Sequence, residues 1–184
     1  MVRITGGRFR GRRLNVPRDA RPTTELARKA AFDILGARVA GASVLDACAG
    51  SGAYGLEALS RGAVHATFVE RDRDIGRVLR RNVERVGATE QATIEIQPVA
   101  SYAALAGAGL SPARFDLIFH DPPFEESSEE DLALLLGLLA EDGALVHERG
   151  DDHVPELPGI RPPDVRRYGR TRLLFFRHSE EERP

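Results

Sequence analysis

From Ser43 onward the chain alternates short apolar segments with helical ones, and that alternation leaves few folds open. Ser43 to Ala47, His65 to Glu70, Ala92 to Gln97, Phe115 to His120 and Ala144 to Glu148 read as strands, with helices filling the gaps. Strands joined through helices run parallel in one sheet covered on both faces. Val165 to Tyr168 and Thr171 to Arg177 follow one another with no helix between them, which predicts a closing antiparallel pair.

Between Asp72 and Val86 the apolar residues Ile75, Val78, Leu79, Val83 and Val86 recur at three- and four-residue steps. This gives one stripe to bury against the sheet, with Arg73, Arg77, Arg80, Arg81 and Arg85 as a solvated face. Ahead of the sheet, Arg21-Pro22-Thr23-Thr24 reads as a capped start for a helix carrying Leu26, Ala30, Ala31, Phe32, Ile34 and Leu35. Val2-Arg3-Ile4 and Arg13-Leu14-Asn15-Val16 flank Gly6, Gly7 and Gly11, the pattern of a glycine-kinked hairpin that carries arginines away from the core. The expected organisation is a basic hairpin extension over residues 1–22, one sheet domain over 23–178 and a flexible tail over 179–184.

Composition narrows the function. In 184 residues, 42% hydrophobic and 29% charged, a single packed domain is expected and disorder is confined to the ends. Cys48 is the one cysteine, which excludes a disulfide framework. His65, His120, His147, His153 and His178 lack metal-ligand spacing, so no metal is expected. No secretory leader follows Met1 and no apolar run approaches the ~20 residues of a membrane span, which places the expectation in the cytoplasm without a membrane role. Between Met1 and Arg21 there are seven arginines (Arg3, Arg8, Arg10, Arg12, Arg13, Arg18, Arg21) against one acid, Asp19. That imbalance, beside the aromatic Phe9, points to nucleic-acid phosphate, with Phe9 or guanidinium planes as stacking surfaces.

Two motifs carry chemistry. The first runs from Val44-Leu45-Asp46 through Cys48, Ala49, Gly50, Ser51 and Gly52 to Tyr54-Gly55, a strand entering a glycine turn and then a helix. Glycines let a ligand approach the backbone, and the helix presents unpaired amides. With Glu70 eighteen residues after Gly52, the motif also fits a dinucleotide fingerprint. Asp46 separates the two readings: a carboxylate beside pyrophosphate is unwelcome, whereas S-adenosylmethionine carries an ammonium group. Glu70 would then accept both ribose hydroxyls. Cys48 is read as a wall of this pocket.

The second motif is Asp121-Pro122-Pro123-Phe124, directly after an apolar strand. An exocyclic amino nitrogen conjugated into a base attacks a methyl group poorly until its hydrogens are drawn off and the ring is held. Asp121 and the Pro122 carbonyl supply acceptors and Phe124 a stacking face for an extruded base. His120, just before Asp121, would touch substrate, tune the carboxylate, or sit as a buried structural imidazole.

These residues resemble the RsmD family of small-subunit ribosomal RNA guanine-N2 methyltransferases over nearly the whole chain. Arg3-Ile4-Thr5-Gly6-Gly7 with Gly11-Arg12-Arg13-Leu14, Arg21-Pro22-Thr23-Thr24 with Phe32, Asp46 through Gly50-Ser51-Gly52-Ala53 to Gly62-Ala63, and Asp121-Pro122-Pro123-Phe124 carry the likeness. It implies a class I, Rossmann-like methyltransferase fold: a seven-stranded, mostly parallel α/β sheet with the last strand antiparallel, plus the amino-terminal hairpin.

The implied reaction is methylation of a guanine N2 in 16S ribosomal RNA within a partly assembled small subunit, by a monomer using S-adenosylmethionine. Donor contacts fall on Asp46, Ala49, Gly50, Ser51, Gly52, Glu70, Arg71, Val99, Ala100 and Asp121. RNA contacts fall on Arg3, Arg8, Arg10, Arg12, Arg13, Arg21 and Thr23, and chemistry on Asp121, Pro122, Pro123 and Phe124. Two positions depart from the family pattern. Val99 stands where an Asp or Asn often meets the adenine amino group, and His120 where a plain apolar residue is expected. The alternatives are an adenine or cytosine amino methyltransferase acting on DNA or RNA, and a non-catalytic RNA-binding assembly factor.

Overall fold

The computed structural model describes residues 2–16, 25–110, 114–123, 129–157 and 160–177. Val2–Arg3 (β1) pairs antiparallel with Arg13–Leu14 (β2), which makes the expected hairpin. The chain then forms α1 (Glu25–Leu35), β3 (Ser43–Ala47), α2 (Ala53–Ser60), β4 (His65–Glu70), α3 (Arg73–Arg85), β5 (Ala92–Ile96) and α4 (Val99–Gly107). It closes with β6 (Phe115–His120), α5 (Glu129–Leu136), β7 (Leu139–Arg149), β8 (Asp164–Tyr168) and β9 (Thr171–Phe176).

The main sheet has seven strands in the order β5-β4-β3-β6-β7-β9-β8. β3 to β7 run parallel, and β9 enters antiparallel between β7 and β8. From β3 the chain winds outward to β4 and β5, then returns to place β6 on the other flank of β3. That reversal opens a crevice at the carboxyl ends of β3 and β6, where open α/β sheets bind their ligands.

Alternation along the strands sorts two cores. Val44, Leu117, Phe119, Ala144, Val146 and Leu173 face α1, α2 and α3, while Leu45, Ala47, Ile118, Leu145 and Leu174 face α4 and α5. In α3 the stripe holds as read, with Leu79 and Val83 buried and the Asp72 carboxylate capping the helix at the amides of Asp74 and Ile75.

β7 begins five residues earlier than the apolar pattern suggests. Leu139 pairs with Phe115 across an irregularity in the ladder, which carries the polar Glu141 and Asp142 along as exposed strand residues.

The hairpin docks on the domain through its own buried side chains, Val2, Ile4, Phe9 and Leu14, which join the α1–α3 core. Its anchor is Glu57 of α2, fully buried, whose carboxylate accepts from Thr5 N at 2.7 Å, Thr5 Oγ1 at 2.7 Å, Gly6 N at 2.8 Å and Arg61 Nε at 2.8 Å. Gly7 sits at φ +72°, and a Cβ there would lie 1.8 Å from the Ser60 carbonyl oxygen. The Thr5-Gly6-Gly7 run is thus a docking signature. Phe9, expected as a stacking surface for RNA, lies in the core instead, with the Arg8 and Arg12 guanidiniums 4.4 and 5.0 Å from its ring centre. The arginines themselves (Arg3, Arg8, Arg10, Arg12, Arg13) are exposed.

Candidate active site

β3 ends in a turn whose backbone is bent out of the ordinary range: Cys48 has φ +63°, Gly50 +54° and Gly52 +79°. A non-glycine residue held at positive φ marks local strain of the kind that collects at ligand-binding turns. The glycines divide by cause. A Cβ on Gly52 would meet Leu79 Cδ1 at 2.5 Å, and one on Gly55 would meet the Phe68 ring at 2.3 Å, so both are needed for α2 to close on β4 and α3. A Cβ on Gly50 would meet only the Cys48 carbonyl oxygen, at an ordinary 3.9 Å, and only there does the motif leave room for a ligand over the backbone.

Carboxylates surround that opening. Asp46, 2% exposed, accepts from the Gly55 amide at 2.8 Å and so fixes the first turn of α2. Glu70 accepts from the Gly50 amide at 2.9 Å with one oxygen and the Asp72 amide at 2.9 Å with the other. Both acids are held by backbone amides, and each carboxylate oxygen retains acceptor capacity. Burial, then repulsion from Asp121 and Glu70, pushes the Asp46 carboxyl up to about 8 despite the Gly55 hydrogen bond. Arg28, fully buried, is the cation acting on this group; it pairs with Glu57 at 3.6 Å.

On the other side of the reversal, β6 delivers Asp121, Pro122 and Pro123 to the same end of the sheet as the glycine turn, in line with the sequence reading. Phe124, Arg21 and Thr23 lie outside the described residues. His120 is buried in cross-strand register with His147, the rings stacked 4.9 Å apart. His147 Nδ1 lies 3.2 Å from the His120 carbonyl, while among the described residues neither ring nitrogen of His120 has a partner. Burial lowers both imidazoles, His147 to about 4 and His120 well below the usual range, so the pair is neutral. The structural reading of His120 is the one the geometry supports.

Two residues that the sequence reading passed over complete the crevice. Tyr54 of α2 stacks on Phe119 with 4.7 Å between ring centres, and its hydroxyl donates to Glu148 Oε2 at 2.7 Å. Glu148, at the end of β7, is raised to about 8 by burial and by the charge of Asp121. Tyr54 lies inside the glycine motif, and Glu148 ends an apolar strand as Glu70 does; that placement was the available signal.

The remaining predicted residues are more scattered. Val99 is buried and Ala100 exposed in the first turn of α4, where among the described residues no side chain caps the helix and the first amides have no partner within it. Arg71 is exposed beside Glu70. Arg12 donates to the Val86 carbonyl at 2.7 Å and Arg8 bonds Gln91, so these hairpin arginines lean toward the end of α3. Among the described residues, no group of three or more His, Cys, Asp and Glu is arranged to hold a metal ion, and no helix is long and apolar enough to cross a membrane.

The family described as conserved hypothetical protein 95 matches residues 2–177. The chain is 36% identical over 163 residues to Ribosomal RNA small subunit methyltransferase D of Escherichia coli strain K12, covering 85% of this chain and 79% of that one. A hypothetical protein of Thermus thermophilus superposes with a TM-score of 0.83 at 36% identity, over 96% of this chain and 99% of that one. A more distant chain, described as a candidate methyltransferase complexed with S-adenosylhomocysteine, superposes with a TM-score of 0.62 at 16% identity, over 82% of this chain and 48% of that one; this likeness speaks to the fold alone. The sheet is that of the class I S-adenosylmethionine-dependent methyltransferases, and the chain belongs to the RsmD family of ribosomal RNA methyltransferases.

Proposed function

We propose that this protein transfers a methyl group from S-adenosylmethionine to the N2 amino group of a guanine in 16S ribosomal RNA, within a partly assembled small subunit. The observation that carries the reading is the gathering of Asp46, Glu70 and Asp121 at the carboxyl ends of β3, β4 and β6, around the reversal of strand order. The residues fit the donor. Acids desolvated to the point that Asp46 is raised to about 8 favour a positively charged ligand, and Gly50 leaves room beside them.

When bound, the donor supplies a methyl group activated on a sulfonium. Asp46 attracts its ammonium group, and Glu70 accepts from its ribose hydroxyls with the lone pairs left over from Gly50 and Asp72. Backbone groups at Ala49, Ser51 and Gly52, with Arg71 alongside, line this half. The free first-turn amides of α4 at Val99 and Ala100 read the adenine edge where the usual side chain is lacking. Asp121 and the Pro122 carbonyl accept the two amino hydrogens of the base, Pro123 fixes the turn, and Phe124 stacks on the ring. No nucleophilic side chain is needed, because alignment and electrostatics carry an in-line transfer.

The hairpin arginines, with Arg21 and Thr23, grip phosphates, and the enzyme works as a monomer in the cytoplasm. The name of the Escherichia coli relative supports ribosomal RNA of the small subunit as substrate. Asp121→Asn tests the role assignment: transfer to unmethylated small-subunit particles should fall at least about a hundredfold, far more than calorimetric donor affinity falls. Undiminished transfer would remove Asp121 from the chemistry.

A further inference from the structure

β6 and β7 run parallel with His120 opposite His147, so the next residues along, Asp121 and Glu148, are neighbours across the strands. Phe119 and Val146 face the α1–α3 core, and strand alternation sends Asp121 and Glu148, each two residues further on, to that same face. They act on each other electrostatically: the charge of Asp121 is the second cause, after burial, of the raised Glu148 carboxyl. Glu148 Oε2 is held by the Tyr54 hydroxyl at 2.7 Å, and Tyr54 is itself clamped flat on Phe119. One hydroxyl does not exhaust a carboxylate, so Glu148 keeps acceptor capacity beyond the Tyr54 bond. Two carboxylates therefore stand side by side at the base-holding half of the crevice, one with an aromatic brace behind it.

Guanine presents two adjacent donors on its Watson–Crick edge, the N1–H and the N2 amino group. Adenine and cytosine place a ring acceptor beside their amino group, so a carboxylate there would face a lone pair. We propose that Glu148, positioned by Tyr54, accepts the N1–H of the target guanine next to Asp121 and is the residue that selects guanine over other amino-bearing bases. The inference rests on the methyltransferase reading above and adds to it a specificity residue. Arg28 is the cation that favours the ionised form of Glu148; a cationic donor and the N1–H of guanine favour it further. A site built to hydrogen-bond an N–H rejects an analogue lacking it far more strongly than one that only fits its shape.

The test uses small-subunit particles assembled from ligated RNA with either guanine or 2-aminopurine at the methylated nucleotide, found first by mass mapping of the wild-type product. 2-Aminopurine keeps the amino group and carries an acceptor at N1. Wild-type protein should prefer guanine by about a hundredfold or more in kcat/KM. Glu148→Gln, whose amide can donate to N1, should lose rate on guanine and shrink that preference below about tenfold, with donor affinity unchanged. Tyr54→Phe should move the preference the same way by a smaller factor, and thermal melts check that both variants fold.

A preference left intact in folded Glu148→Gln, with both bases slowed alike, overturns the assignment and leaves the methyltransferase reading standing. No transfer to either particle by the wild type overturns both. If Glu148→Gln does not fold, an intact preference in folded Tyr54→Phe is the contradicting result.

Discussion

The two halves of the crevice are built from the same parts by different means. On the β3–β4 side, Asp46 and Glu70 are fixed by backbone amides of Gly55, Gly50 and Asp72. On the β6–β7 side, Glu148 is fixed by a side chain, the Tyr54 hydroxyl. Amide-held acids are set as soon as the helix and strand form, so the donor half is shaped before any ligand arrives. An acceptor half held by side chains can adjust to a base extruded from a folded RNA. This is the division of labour expected of an enzyme that binds a small constant molecule and a large variable one.

If the donor half is set by its backbone, the packing that fixes that backbone should be its weakest point. Gly55→Ala places a methyl 2.3 Å from the Phe68 ring, with no flexible chain end to give way. It should cost about 3 kcal/mol or more in denaturant unfolding, whereas Gly50→Ala, with no close contact but φ +54°, should cost about 1 kcal/mol. Equal costs would mean that the turn is not fixed by packing.

The next effect separates charge from shape. Asp46→Asn keeps the bulk of the side chain but removes the anion, and donor affinity should fall about tenfold, or roughly 1.4 kcal/mol. The same variant has a pH signature. A carboxyl raised on folding from 3.8 to about 8 binds more protons folded than unfolded, so its contribution to stability falls as pH rises through that interval. The difference in stability between ligand-free Asp46→Asn and the wild type should therefore shift in favour of the variant from pH 4 to pH 8; a constant difference would mean that Asp46 titrates normally.

The buried histidines run the other way. Lowered on folding, they bind fewer protons folded than unfolded, so their contribution is lost as pH falls from 6.5 toward 4. The smallest effect is expected at the hairpin, where Arg10→Glu with Arg13→Glu should leave donor affinity alone. It should also reduce the slope of log RNA affinity against log salt by about one for each phosphate that is no longer neutralised. An unchanged slope would remove those arginines from the RNA surface.

The sheet was legible because its signals are periodic and local: β3, β4 and β6 fall on the residues the alternation marked, and Asp46, Glu70 and Asp121 follow from their strand ends. What was not legible depends on partners far away in the chain. Thr5-Gly6-Gly7 takes its meaning from Glu57 and Ser60, more than fifty residues on, and Phe9 from the core that receives it. The Asn82 side chain bonds both Asn15 and Ser51, tying hairpin to glycine turn in a way that no spacing announces. Tyr54 and Glu148 meet across 94 positions, and only the register of β6 on β7 sets Glu148 beside Asp121.

The central claim is that the crevice joins a methyl donor on one flank to a guanine amino group on the other. Incubating small-subunit particles that lack modifications with labelled S-adenosylmethionine and the wild-type protein, then digesting the RNA to nucleosides for mass analysis, tests it most directly. Label is expected in N2-methylguanosine from 16S RNA and is lost with Asp121→Asn. Label in a methylated adenine or cytosine would contradict the guanine-holding role of the β6–β7 half, and donor binding with no transfer to any ribosomal RNA would contradict the enzyme altogether.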